Sequence, residues 1–275
     1  MMIAAGEGDT TMRSRIAAML DDIERDHRVR ILLAVESGSR AWGFPSSDSD
    51  WDVRFLYLRP FDAYLRIDPP TDVIEVPLTN ELDLNGWDLR KGLALLVASN
   101  AVFLEWLASP VVYRRDDDSY RDLAELAAAA AHLPALSYHY DRLARRHWGA
   151  TSNAPVRFKT LFYALRPVLA LVWMRNYGRP PPMDLEGLLA GLKLSPKLVE
   201  EIERVRALKA IATEADVIDV PSAIGAFLSE TLSQPVSRAG TWNKSTLLAN
   251  VDQAFFRMVM GQQLHASQLN ARDRC

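Results

Sequence analysis

The segment from Glu36 to Arg54 reads Glu-Ser-Gly-Ser-Arg-Ala-Trp-Gly-Phe-Pro-Ser-Ser-Asp-Ser-Asp-Trp-Asp-Val-Arg. Apolar runs at 31–35 and 53–58 predict two buried strands, joined by a turn rich in glycine, proline and serine. Alternate residues of a strand share a face, so Asp50 and Asp52 should project side by side where the second strand begins. Two carboxylates beside a turn of small residues predict a binding site for a divalent metal ion and a polyphosphate.

The composition is that of a globular protein. The chain has 275 residues, enough for one large domain or two modest ones, and 49% of them are hydrophobic and 24% charged. Its single cysteine, Cys275, excludes an internal disulfide bond and a thiolate metal site. We find neither a secretion signal nor an apolar run of about 18 residues, so we expect a cytoplasmic protein without a membrane span.

Charge is unevenly distributed along the chain. The net charge of −3 argues against indiscriminate nucleic-acid binding. Between residues 138 and 179, however, Asp141 is the one acid among many basic residues: Arg142, Arg145, Arg146, Arg157, Lys159, Arg166, Arg175 and Arg179. A basic second half opposite an acidic first half would suit a metal-bound anion between them. Solvated helix faces are the alternative, which charge runs alone favour.

The periodicity of apolar residues predicts an α+β fold. The first part should contain helices at 10–26, 61–65, 87–98 and 103–107 and strands at 29–35, 53–58, 73–78, 81–84 and 110–113. Asn85-Gly86 is predicted to be a turn before the helix that starts at Trp87. The later part should be helical at 120–131, 136–148, 155–177, 185–192, 196–212, 221–232 and 247–264, with a loop at 234–244. Residues 1–9 and the last ten are predicted to be tails. We therefore expect a small mixed β-sheet domain at 1–114, followed by a helical domain at 115–275 that closes over the site.

A metal site of this kind usually needs a third carboxylate from another part of the chain. Asp83 is the best candidate, because it lies between Leu82 and Leu84 in a predicted strand, where an unpaired charge would be costly. Mg²⁺ prefers oxygen ligands, and two such ions about 3.5–4 Å apart can assist an in-line phosphoryl displacement. Each element alone is usually a surface loop or a capping pair; their combination is much rarer.

Basic residues near this site are candidate ligands for phosphate. Lys159, Tyr163 and Arg166 follow helical spacing and should share one face, from which the two cations could reach a triphosphate. The alternative is a surface helix face with a snorkelling lysine. Arg40 and Arg54 flank the carboxylates and could neutralise them, and Arg40 could also contact phosphate.

Gly38-Ser39 followed by Asp50-Trp51-Asp52-Val53 resembles the signature of the DNA-polymerase-β-like nucleotidyltransferase superfamily. The whole 38–54 string is more similar to one branch, the predicted bacterial and phage nucleotidyltransferases associated with RNA repair. The strings at 81–91, 105–110 and 159–167 also fit that branch, and the resemblance covers roughly residues 30–185.

The resemblance implies transfer of a nucleoside monophosphate from an NTP, with ATP the expected one, to a hydroxyl, with release of pyrophosphate. It implies that Asp50 and Asp52 bind two Mg²⁺ ions, with Mn²⁺ as the alternative, and that Asp83 completes the second site and helps to activate the acceptor. It further implies that Gly38 and Ser39 bind the β- and γ-phosphates.

The acceptor is left open by the sequence. An RNA end is the first hypothesis, supported by the basic helices. The same chemistry on a small molecule or a protein side chain is the second, since a fold does not determine a substrate. A nucleotide-binding regulatory or antitoxin-like protein with little turnover is the third.

Overall fold

The computed structural model describes residues 7–78, 81–149, 155–236, 240 and 242–272 of the chain. It is an α+β fold, with a five-stranded mixed sheet and helices that dominate the later sequence. The strands are β1 Arg30–Glu36, β2 Trp51–Leu58, β3 Val73–Glu75, β4 Leu82–Asp88, β5 Val112–Arg115, and the short pair β6 Val156–Arg157 and β7 Val217–Ile218. The α-helices are α1 Glu7–His27, α2 Leu89–Val97, α3 Ala101–Leu107, α4 Asp117–Ala130, α5 Leu133–Trp148, α6 Phe158–Tyr177, α7 Leu185–Gly191, α8 Pro196–Ile211, α9 Ser222–Ser233 and α10 Lys244–Arg272, and a 3-10 helix covers Phe61–Leu65.

The topology of the sheet positions the candidate site. The strand order is β3-β4-β2-β1-β5, and β2 and β4 are parallel whereas the other neighbours are antiparallel. Two parallel neighbours begin at the same edge of a sheet. The first residues of β2 and β4 therefore lie side by side, although the segment between these strands includes β3.

Both faces of the sheet are covered. Helix α1 packs on one face through Ile16, Leu20 and Ile23, against side chains of β2 such as Val53 and Phe55. The opposite face is covered by α2 and α3 and by two helices that follow residue 114, α4 and α10. A separate core surrounds α6, with α5, α7, α8 and α9 packed about it. The division into domains at residue 114 stays a prediction.

A strand is found at each predicted position in the first part, although β3 ends at Glu75 and β5 begins at Val112; the turn predicted at Asn85-Gly86 is wrong. Both residues lie inside β4, and the strand continues through Trp87 to Asp88, which caps α2 by accepting a hydrogen bond from the Arg90 N–H at 2.8 Å. Gly86 is needed for close packing, because a Cβ there would lie 2.1 Å from Cε2 of the Phe55 ring. Gly86 is therefore needed for packing within the sheet and does not form a turn.

Several helix ends also differ from the prediction. Helix α6 begins at Phe158 rather than at 155, because Val156 and Arg157 pair with β7. Helix α1 already begins at Glu7, and α10 continues to Arg272, well past the expected end at 264. The tails expected at 1–6 and 273–275 and the loop expected at 237–239 and 241 lie outside the described residues. Within the described part of the chain, no helix is both long and apolar enough to cross a membrane.

Candidate active site

The structure brings two of the three predicted carboxylates together. Asp52 is the second residue of β2 and Asp83 the second of β4, and the two are partners in the parallel register. Their neighbours in the strands, including Val53 and Leu84, point into the core on the α1 face. Asp52 and Asp83 therefore project from the opposite face, both partly buried. Asp50 lies just before β2 and is exposed.

Gly38 lies directly against Asp52. A Cβ at position 38 would be 1.8 Å from Oδ2 of Asp52, a distance that no real side chain tolerates. The Ser37 N–H donates to the backbone carbonyl of Asp52 at 2.9 Å, which holds the start of the turn against β2. The absence of a side chain at Gly38 thus lets the backbone of the turn approach the carboxylate closely.

Glu36 is a buried carboxylate behind this contact, and sequence reasoning missed it. It is 0% exposed, its Oε1 accepts a hydrogen bond from the Asp52 N–H at 2.8 Å, and its Oε2 accepts one from the Tyr113 hydroxyl at 2.6 Å. Burial raises the pKa of Glu36 above its usual range, against the lowering effect of these hydrogen bonds. Its one sequence signal is an acid at the end of a fully apolar strand. Glu36 connects β1, β2 and β5 directly beneath Asp52.

Arg54 supplies the positive charge closest to the two carboxylates. Its Nη2 lies 2.7 Å from Oδ2 of Asp83 and 3.5 Å from Oδ1 of Asp52. Burial raises the pKa of the Asp52 carboxyl; Arg54 opposes that rise, whereas the charges of Asp83 and Asp50 add to it. The predicted role of Arg54 in neutralising the pair is therefore consistent with its position.

The chemistry of the donors fits Mg²⁺, because carboxylate oxygens are its preferred ligands. Among the described residues, however, no group of three or more Asp, Glu, His or Cys side chains is arranged to hold a metal ion. In this arrangement Arg54 balances Asp52 and Asp83 instead. A metal ion shared by the two carboxylates would take over that balancing charge.

Ser39 and Arg40 are both engaged within the turn. Ser39 Oγ donates to Ser49 Oγ at 3.1 Å. Arg40 donates to the Ser49 carbonyl at 2.7 Å and to the Asp50 carbonyl at 3.2 Å, and its guanidinium lies 4.0 Å from the centre of the Trp51 ring. Arg40 thus ties the two ends of the turn together beside the carboxylates, and its contact with phosphate stays a prediction.

Lys159 and Tyr163 of α6 face the carboxylates from the helical side. Lys159 Nζ pairs with both oxygens of Glu214, at 3.0 and 3.1 Å. Burial raises the pKa of the Tyr163 hydroxyl. The charge of Lys159 lowers this pKa, and the charge of Asp52 raises it further. The Tyr163 ring also meets Trp42 edge-on, at 5.1 Å between centroids. The role of Lys159 and Tyr163 at a triphosphate stays a prediction.

Arg166 differs from the expectation that it reaches a triphosphate. Its side chain is 4% exposed, its Nε donates to the Met183 carbonyl at 3.0 Å, and it forms an ion pair with Glu105 of α3. Its guanidinium lies 4.5 Å from the centre of the ring of Trp42, a residue of the turn. Helical spacing predicted that Arg166 shares a face of α6 with Tyr163, and both side chains do contact Trp42. It could not show that a distant glutamate holds the guanidinium inside the protein.

The turn itself is held by the helical part of the chain. Ser47 donates from its N–H and its Oγ to the Ala212 carbonyl, at 3.3 and 3.0 Å. The Glu214 N–H donates to both carboxylate oxygens of Asp48 at 3.1 Å. Phe44 is buried and stacks on Phe162 of α6 with 4.7 Å between ring centroids. The segment between Gly38 and Asp50 therefore packs against, and is hydrogen-bonded to, the second half of the chain.

Comparison with known proteins places this arrangement in a family. A family model described as "RNA repair pathway DNA polymerase beta family" matches residues 12–257. The uncharacterized protein YcgL of Bacillus subtilis (strain 168) is 42% identical over 207 residues, which cover 75% of this chain and 80% of that protein. The crystal structure of a nucleotidyltransferase-like protein from Exiguobacterium sibiricum 255-15 aligns with 14% identity and a TM-score of 0.31, covering 91% of this chain and 80% of that one.

Proposed function

Since the chain belongs to the RNA repair pathway DNA polymerase beta family, we propose that it is a metal-dependent nucleotidyltransferase. It transfers a nucleoside monophosphate from an NTP, ATP being the expected donor, to a hydroxyl group and releases pyrophosphate. The description of the family favours an RNA end as the acceptor. The observation that carries the proposal is the pairing of Asp52 with Asp83 across β2 and β4, with the backbone of Gly38 against Asp52.

Asp50, Asp52 and Asp83 are the residues that would hold Mg²⁺, as two ions, or Mn²⁺ in its place. Bound there, the ions would supply charge stabilisation for the attacking and leaving oxygens of an in-line displacement. Asp83 would accept the proton of an acceptor hydroxyl; its position, partly buried and lining an open cleft, supports this role. Arg54 contacts both carboxylates, and its positive charge offsets the repulsion between them.

The donor nucleotide would bind between the turn and α6. Gly38 and Ser39 would bind the β- and γ-phosphates through backbone N–H groups and the Ser39 hydroxyl, since free N–H groups of a turn attract anions. Lys159 pairs with Glu214 at a half-exposed site, and such a pair contributes only about 0–1 kcal/mol. The ammonium of Lys159 can therefore exchange Glu214 for a triphosphate at little cost. Tyr163 forms the adjoining wall.

The acceptor would approach from the other side of Asp83. A cleft of about 510 Å³ opens there, lined by Glu75, Val76, Pro77, Leu78, Asp83, Leu84 and Asn85. The lining combines apolar residues with Glu75, Asp83 and Asn85, and Asp83 belongs both to the cleft and to the carboxylate pair. A terminal nucleotide that enters this cleft could place its hydroxyl against Asp83 while the rest of the RNA stays outside.

Labelling distinguishes among the acceptors. The purified protein is incubated with Mg²⁺ and each α-labelled NTP in turn, together with total RNA, a small-molecule fraction or protein alone. We expect label in RNA, with an efficiency that falls steeply as salt rises, because counterions compete for phosphate contacts. Label confined to the small molecules or to the protein would replace the RNA acceptor, and NTP binding without transfer would favour a regulatory protein.

Two double variants test the site itself. Asp50→Ala with Asp52→Ala should abolish transfer. Asp62→Ala with Asp68→Ala removes two exposed carboxylates outside the site and should leave the rate unchanged. Transfer that survives the first pair of substitutions would contradict the assignment of these carboxylates.

A further inference from the structure

Lys209 of α8 is a buried lysine without an ion-pair partner among the described residues. It is 3% exposed, and its Nζ donates a hydrogen bond to Ser46 Oγ at 3.0 Å. Burial lowers the pKa of this amine, an effect that the nearby Glu214 and Asp48 carboxylates oppose and Lys159 reinforces. Burying an ammonium group costs free energy of folding unless the charge is paired with an anion or hydrogen-bonded. Lys209 lies directly behind the turn, which indicates that its charge acts on the turn.

A continuous chain of hydroxyl groups leads from Lys209 to the Gly-Ser pair. Ser46 Oγ lies 3.0 Å from Ser49 Oγ, and Ser39 Oγ lies 3.1 Å from the same atom. The Ser46 N–H also donates to Ser49 Oγ at 2.8 Å, which fixes Ser49 in place. Ser46 and Ser49 are each 6% exposed, so water does not interrupt the chain.

We propose that Lys209 is a positioning residue for the nucleotide: acting through Ser46 and Ser49, it makes the Ser39 hydroxyl a hydrogen-bond donor to a phosphate oxygen. The inference rests on the proposed function and deepens it. The Ser39 hydroxyl donates to Ser49 when no phosphate accepts from it. When a phosphate does, Lys209 donates to Ser46, Ser46 to Ser49, Ser49 to Ser39 and Ser39 to the phosphate.

This reversal needs only rotation of hydroxyl groups, so no proton changes its oxygen and no bond is broken. All the donors then run from a cation to an anion, and hydrogen bonds aligned in a chain strengthen one another. The charge of Lys209 thereby acts on the phosphate without direct contact. The same lysine joins the turn to α8, so the phosphate-binding group depends on the second half of the chain.

Lys209→Met separates this role from a merely structural one. Methionine keeps the length of the side chain and removes the buried charge, so the melting temperature should stay the same or rise. Affinity for the nucleotide should fall by about tenfold, the effect expected from losing a charge-assisted hydrogen bond. A structural role predicts the opposite pattern, in which stability falls and any loss of affinity follows from unfolding.

The test is calorimetric titration with Mg-ATP and with Mg-tripolyphosphate, which needs no turnover. Lys209→Met should bind both about tenfold more weakly, and in a Ser39→Ala background the same substitution should have almost no further effect. Lys197→Met, an exposed lysine on the same helix, is the control and should bind as the wild type does. If Lys209→Met does not fold, Ser46→Ala interrupts the same chain and should give the same loss.

Two results would overturn the inference. Wild-type affinity in Lys209→Met, or in Ser46→Ala where that variant replaces it, would show that the charge does not reach the phosphate. An equal loss with and without Ser39 would show that Lys209 acts by another route. In both cases the proposed function still stands, provided that the wild-type protein binds Mg-ATP. If the wild type itself binds neither probe, the proposed function fails and the inference fails with it.

Discussion

Replacing Gly38 with alanine should inactivate the protein through one contact. The new methyl carbon would lie 1.8 Å from Oδ2 and 2.7 Å from Cγ of Asp52. Gly38 is not among the residues with positive φ in the described chain, so alanine meets no backbone strain there and the effect is purely steric. The Asp52 carboxylate must therefore turn away, or the turn must withdraw from β2.

The magnitude follows from these distances. The carboxylate oxygen has to retreat by more than an ångström before the contact reaches 3.0 Å, the shortest that real Cβ atoms show. Misplacing a catalytic group by about 1 Å can cost roughly 10²-fold in rate. Overpacking a tight site costs about 1–3 kcal/mol of stability, so the variant should still fold. We therefore expect a folded protein that has lost at least about 100-fold of its transfer rate.

The assay combines the initial rate of NTP labelling with a thermal melt. Gly261→Ala is the matched control, because among the described atoms outside its own stretch of helix none lies within 4 Å of the added Cβ, and its rate should equal that of the wild type. Its melting temperature should rise slightly, since alanine favours a helix by about 1 kcal/mol over glycine. A Gly38→Ala protein that transfers label at the wild-type rate would refute the functional importance of the contact between the turn and Asp52.

Three further predictions concern charged residues. Because burial raises the pKa of Glu36, its neutral form stabilises the fold below the usual carboxylate pKa, and this contribution is lost as pH rises through the folded pKa. Glu36→Gln should therefore melt at a higher temperature than the wild type at pH 8 and at about the same temperature at pH 4. The reverse order would contradict the burial of its charge. Arg166→Met should destabilise the protein by about 3 kcal/mol in denaturant unfolding, because Glu105 loses its ion-pair partner and keeps the hydrogen bond from the Tyr140 hydroxyl. Adding Glu105→Leu should recover part of that loss, and additive losses would argue against the pair. Lys159→Ala should raise KM for the NTP more than it lowers kcat, whereas Glu214→Gln, which frees the lysine, should lower KM; an unchanged KM in both would remove Lys159 from the nucleotide site.

Local patterns in the sequence predicted the strands that carry the candidate site. Apolar runs predicted β1 and β2, but the period of two that was expected to put Asp50 and Asp52 on one face does not apply, because β2 begins at Trp51 and Asp50 lies before it. Asp83 was identified because a carboxylate between two leucines in a strand needs a partner, and Arg54 provides one. Each of these inferences uses residues that are neighbours in sequence, where geometry follows from the backbone.

Contacts between distant segments could not be predicted in the same way. Gly86 was misread because a glycine required by the Phe55 ring looks the same in sequence as one required by a turn. Arg166 was placed correctly on its helix but not in its environment, which depends on Glu105 of another helix. Glu36 and Lys209 were missed because their importance comes from burial, and burial of a charged residue is decided by packing.

The dependence of the turn on the second half of the chain has a consequence for synthesis of the protein. Ser47 and Asp48 are held by residues 165 and 166 positions later in the sequence. At about 5–20 residues per second, a ribosome needs roughly 8–33 seconds to make that stretch. During this time β1, β2 and the aspartates have already emerged, but the support behind the Gly-Ser pair does not yet exist. The nascent chain therefore carries the carboxylates early and gains its complete site only after Glu214 has left the ribosome.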